Sequence, residues 1–199
     1  MNFTHFSIAQ VVSATLVLFA VIDILGSIPI VISFKEKTGH LYAGKATIVS
    51  GAIMIVFLFL GDSILNLFSV DLNSFALAGS FIIFLIAIEM ILGITLFKSD
   101  PHETDSASIV PLAFPLIAGA GTLTTLLSIR STYYIENIII AILINAVFIY
   151  VVLKSIPWIE KRLGLNGRSI LRRVFGIILL SIAIKLFTTN LALYPFLNQ

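Results

Sequence analysis

The feature that most limits what this chain can become is an apolar run from Ile8 to Phe34, broken near its middle by Asp-Ile-Leu-Gly-Ser-Ile-Pro at residues 23 to 29. A run of this length matches a membrane crossing, and in lipid every backbone N–H and C=O must find its partner inside the protein. A helix is the local solution. Yet Asp23 places an ionisable group within roughly 3 Å of the bilayer centre, at 1.5 Å of rise per residue. A charge there costs about 3 kcal/mol on insertion scales. Gly26 and Pro29 weaken the helix at the same place. The stretch predicts a discontinuous helix whose freed amides and carbonyls line a polar cavity rather than lipid.

Five further apolar runs follow, at about 46–67, 75–97, 109–129, 137–156 and 174–194, with Glu89 inside the third. The fourth contains PLAFPLIAGAGTLTT, whose two prolines and two glycines disfavour an uninterrupted helix. The expectation is an all-α polytopic membrane protein of six transmembrane helices, the first and fourth discontinuous, with no removable signal peptide. Only 11% of residues are charged, against about 25% in soluble domains. Of the twelve Lys and Arg, ten fall in or at the edge of the joints after runs one, three and five, which the positive-inside rule assigns to the cytoplasm, leaving both termini outside. That distribution explains the net charge of +2 by topology, and no nucleic-acid partner is expected.

An internal repeat is suggested by a slide of about 95 residues, which lays Gly26 on Gly121, Ser27 on Thr122 and Ser50 on Asn145. It divides a single transmembrane domain into repeat one (1–97), a linker (98–108) and repeat two (109–199). Each half would hold three spans, so the second inserts upside down relative to the first. Inverted repeats with interrupted helices at matching places point to a site near the midplane.

Within that frame Asp23 is the candidate partner for a substrate ammonium or a coupling proton, or else a structural cap for the half-helix beginning near Ser27. Gly26 and Ser27 in one half, with Gly119, Gly121, Thr122 and Thr124 in the other, are candidates for holding a carboxylate on free helix amides and hydroxyls. Close helix packing through small residues is the competing explanation. Glu89 is a second proton-coupling candidate, and Pro29 and Pro115 are candidate hinges. Lys185 is expected to snorkel to an interface rather than pair with Glu89. No catalytic residues, metal ligands or cofactors are expected: the chain has no cysteine, His5, His40 and His102 are scattered, and no glycine-rich phosphate loop is present. The chain is therefore read as a non-enzyme.

At its two breaks the sequence resembles the MarC family of six-span membrane proteins, also described as small neutral amino acid transporters within the wider LysE-like superfamily. The resemblance rests on Asp23-x-x-Gly26-x-x-Pro29, on Ile86-Ala87-Ile88-Glu89-Met90 and on PLAFPLIAGAGTLTT. Two positions depart from the family's usual proline, Ile24 after the aspartate and Ala120 between the glycines. The resemblance implies a bacterial or archaeal cytoplasmic-membrane carrier of glycine- or alanine-like substrates, coupled to protons. A channel through the same breaks and a non-transporting scaffold are the alternatives, and self-association through small-residue faces stays open.

Overall fold

The computed structural model describes residues 6–94 and 112–191; the linker 98–108 lies outside the described residues. Helix α1 spans Ile8–Ile22, α2 Ile28–Thr38, α3 Ala43–Leu67 and α4 Leu72–Leu92. A six-residue π-helical turn, α5 (Leu112–Ile117), precedes α6 (Ala120–Arg130) and α7 (Ile135–Leu191). Among the described residues there is no strand. Local chemistry sets several ends. Ser7 caps α1 by accepting from the Gln10 amide (3.5 Å), and Asp71 caps α4 by accepting from the Ser74 amide (2.7 Å). Pro29 is the second residue of α2, where its missing N–H removes nothing the helix needs. Helix α7 bends at Gly164, whose φ of +62° only glycine adopts freely, so it acts as two segments, 135–163 and 165–191.

Among the described residues three helices are long and apolar enough to cross a membrane: Ala43–Leu67, Leu72–Leu92 and Ile135–Arg162. Helix α1 has 15 residues, a rise of about 22 Å against a hydrocarbon core of about 30 Å. Neither α1 nor the eleven-residue α2 and α6 spans alone.

Side-chain contacts fix the relative directions. Asn137, near the start of α7, takes the Ser7 amide on its Oδ1 (3.2 Å). Phe148 packs edge-on against Phe19, with ring centres 5.0 Å apart, and Glu160 pairs with Lys35. The first segment of α7 therefore runs parallel to α1 and α2. The second segment runs antiparallel to α4: Arg172 lies beside Gly93, Gly176 beside Ile91, and Ala183 shares a pocket with Phe84. Helix α6 runs parallel to α3, with Leu127 against Gly61 and Arg130 3.5 Å from Asp62. Leu18, Ile30, Met54, Leu58, Leu126 and Leu153 fill the centre, each with almost no exposed surface. Ile48, Leu67 and Val147 face outward, each more than half exposed. An outer surface this apolar suits lipid rather than water.

Two expectations need correction. Lys35 belongs to the last turns of α2, not to a loop. The basic stretch between the fifth and sixth runs is helical except at Gly164, rather than an open joint. Lys and Arg are good helix formers, and a helix can continue past the bilayer face where only charge was counted. The slide of 95 residues acquires conformational matches. It lays Asp23, the residue that follows α1, on Ala118, the residue that follows α5. It also lays Ser69 on Gly164, both with left-handed φ (+54° and +62°).

Candidate functional site

At the first interruption Asp23 itself makes the break. It ends α1 in the left-handed conformation (φ 44°, ψ 49°), which Asp tolerates better than most side chains, and its amide closes onto the Phe19 carbonyl at 3.2 Å. Its Oδ1 accepts from the Gly26 amide (3.2 Å), and its carbonyl accepts from both the amide and the hydroxyl of Ser27 (each 3.0 Å). A β-carbon on Gly26 would sit 2.3 Å from Asp23 Oδ2, so glycine makes room for the carboxylate. The Ile28 amide goes to the Leu25 carbonyl (3.2 Å) and Pro29 has none, so the start of α2 is nearly saturated by the link itself. Asp23 is exposed and Ser27 buried.

The second interruption is made by backbone. Phe114 is extended inside α5 (φ −140°, ψ 128°), ahead of the buried Pro115, and Gly119 opens α6 with no side-chain cap. A β-carbon on Gly119 would lie 2.0 Å from the Pro115 carbonyl oxygen, a backbone atom. The first amide that α6 satisfies from its own carbonyls is that of Leu123, to Gly119 at 3.0 Å. The amides of Ala120, Gly121 and Thr122 therefore have no intrahelical acceptor. The Thr122 hydroxyl donates to Ile117 O (2.9 Å) and that of Thr124 to Gly121 O (3.0 Å), so these hydrogens are committed to the chain rather than to a ligand. Gly119, Ala120 and Thr122 are buried; Gly121 and Thr124 are half-buried.

The two interruptions adjoin. A β-carbon on Gly121 would stand 3.5 Å from Val21 Cγ1, two residues before Asp23. From the other side α4 presses in so closely that a β-carbon on Gly79 would meet that of Ala120 at 2.5 Å. Ala120 is the residue this contact accommodates. Ser50 is fully buried and donates to the Thr47 carbonyl (3.0 Å). Asn145, onto which the 95-residue slide lays Ser50, donates to the carbonyls of Thr15 (3.2 Å) and Ala141 (2.9 Å), tying α7 to α1.

Glu89 is buried, and it borders a small cavity with Ile30, Ser33 and Phe34 of α2 rather than joining Asp23. A larger cavity, about 210 Å³, lies between α2 and the second segment of α7, lined by Pro29, Ser33, Glu36, Ser169 and Arg172 among others. Asp23 lines neither of these. Lys185 is exposed. Sequence reasoning missed Ser33, Glu36 and Arg172, although Pro29, Ile32, Ser33 and Glu36 form a helical stripe that periodicity could have exposed. It also missed two ion pairs at the far ends of the half-helices. Lys35 of α2 pairs with the 8% exposed Glu160 side chain. Arg130 of α6 sits 3.5 Å from the 67% exposed Asp62 side chain. Lys35 and Arg130 coincide under the 95-residue slide. Among the described residues no group of three or more His, Cys, Asp or Glu could hold a metal ion.

Residues 8–194 match the model of the MarC family integral membrane protein. A UPF0056 membrane protein of Buchnera aphidicola (from Acyrthosiphon pisum) is 32% identical over 98% of both chains. One from Methanocaldococcus jannaschii is 30% identical over 87% of this chain and 92% of its own. The UPF0056 membrane protein YhcE of Escherichia coli is 29% identical over 87% of this chain and 88% of its own. No solved structure matches. On this similarity, which spans nearly its whole length in bacterial and archaeal relatives, the chain belongs to the MarC family of integral membrane proteins.

Proposed function

We propose that this protein is a secondary carrier of small neutral amino acids of the glycine and alanine class, without enzymatic activity and driven by a proton gradient. It resides in the cytoplasmic membrane with both termini outside and crosses six times as two inverted three-helix repeats. The observation that carries this reading is the pair of interruptions: Asp23 and Ala118, the residues that follow α1 and α5, coincide under one sequence shift, and beside them Val21 of α1 faces Gly121 of α6. Unwound segments that meet inside an inverted repeat are where coupled carriers bind substrate.

Under this reading each interruption has a distinct task. The uncapped start of α6 offers amides and the positive end of a helix dipole to the substrate carboxylate. Asp23, whose Oδ2 makes no hydrogen bond among the described residues, takes the ammonium or the coupling proton. Glu89 serves as an inner proton station, and Pro29 and Pro115 mark the hinges. Helices α2 and α6 then move in alternation, each latched at its outer end by its ion pair, Lys35–Glu160 or Arg130–Asp62.

The test is uptake of labelled alanine or glycine into proteoliposomes under an imposed proton gradient. Asp23→Asn should abolish concentrative uptake while the protein remains folded and monodisperse. Full activity in that variant would remove Asp23 from the mechanism, and single-channel currents in place of saturable counterflow would turn the reading to a channel.

A further inference from the structure

We infer that the cavity between α2 and the second segment of α7 is a second binding site for a small zwitterion, a waiting position at one end of the carrier that takes its carboxylate on Arg172 and its ammonium on Glu36. The inference rests on the transport reading above and adds a site to it. The cavity measures about 210 Å³, and a cavity of about 150 Å³ already holds a ligand the size of benzene. Alanine has the same number of heavy atoms as benzene, so it fits with room for water.

The polar groups are arranged for such a guest. Arg172 lines the cavity with its charged guanidinium, which is anchored on the protein side: Nε is buried, without a hydrogen-bond partner among the described residues. The same guanidinium stands beside Gly93 at the C-terminal end of α4, with Nη2 3.6 Å from where a β-carbon would be. The negative end of that helix dipole steadies the charge. Glu36 contributes a carboxylate to the same wall, and Pro29 and Ile32 supply apolar surface for a small side chain. One guanidinium and one carboxylate on a shared lining suit a molecule bearing one charge of each sign, whereas an inorganic dianion would face Glu36 as a like charge. Ser33 borders both this cavity and the small one at Glu89, so the guest waits one side chain away from the buried acid.

The test is equilibrium binding of labelled L-alanine to the full chain purified in detergent, alongside uptake in proteoliposomes, with thermal melting as the folding control. Arg172→Gln and the cavity-filling Ser33→Leu should each weaken one class of alanine binding by about tenfold or more. Asp23→Asn should retain that class while losing uptake. Glu36→Gln should weaken alanine but leave competition by propionate, which lacks the ammonium, unchanged. Wild-type affinity in both Arg172→Gln and Ser33→Leu, with uptake intact, would overturn the second site and leave the transport reading standing. Loss of all alanine binding in Asp23→Asn would overturn it too, by reducing the sites to one. Displacement by phosphoethanolamine in preference to alanine would assign the cavity to a lipid headgroup and overturn the inference. Absence of both binding and uptake in the wild-type protein would overturn the transport reading and the inference together.

Discussion

The interruption at Asp23 and the one at Ala118 break two helices at positions related by one sequence shift, but by opposite means. The first is built from side chains: a left-handed aspartate folds its carboxylate onto the Gly26 amide, and Ser27 returns a hydroxyl to the aspartate's carbonyl. The second is built from backbone: an extended Phe114, a buried Pro115 and a glycine pressed onto a carbonyl oxygen, with the next helix left uncapped. A side-chain break satisfies its own amides and leaves a ligand only the second oxygen of the Asp23 carboxylate. A backbone break leaves amides in a buried place, where an unpaired polar group is costly until something binds it. The ion pairs at the far ends of α2 and α6 differ likewise, one with a nearly buried acid and the other with an exposed one.

Substitutions can break or sharpen this contrast. Gly119→Ala should be the most damaging, because its β-carbon would meet a backbone oxygen that cannot step aside; a loss of about 3 kcal/mol is expected, read as a lowered melting temperature in detergent. Glu160→Gln should cost about 2 kcal/mol by leaving Lys35 without its ionic partner, less than for a wholly buried pair because Lys35 is partly exposed. The charge exchange Lys35→Glu with Glu160→Lys should recover much of that loss if the pair is what matters. Gly26→Ala should cost about 1.5 kcal/mol, and Asp23→Ala in the same chain should relieve it, since the clash is with a side chain. An undiminished cost in that double variant would place the strain in the backbone and erase the contrast. Thr122→Val removes the donor to Ile117 with little change of shape and should cost about 1 kcal/mol. Asp62→Asn should shift stability by no more than about 0.5 kcal/mol, the exposed counterpart of Glu160→Gln.

Much of the first interruption was legible in the sequence because its causes are local. Asp23, Gly26 and Pro29 lie within two helical turns of one another, and each disfavours a continuous helix for its own reason. Pro115 and Gly119 announced the second in the same way. The partners these residues acquire were less legible. Thr122 and Thr124 read as hydroxyls available to a ligand, whereas both donate to backbone carbonyls. Glu89 read as a second proton-coupling candidate with no partner specified, and it borders α2 beyond Pro29. Lys35 and Arg172 read as topological charges in loops; one reaches Glu160 and the other a cavity wall. Glu89, Lys35 and Arg172 thereby meet residues more than fifty positions away, which periodicity along one helix does not encode.

By itself the sequence determined that this chain is helical, belongs in a membrane and breaks two of its apolar runs, since apolar run length and helix-breaking residues act through the backbone of their own segment. Only the tertiary structure decided that the two breaks touch, which of them keeps free amides, and where the charged residues at the helix ends find partners. Those outcomes depend on how closely helices approach, at Gly79 and Gly121 above all, and that distance is set by two surfaces packing together.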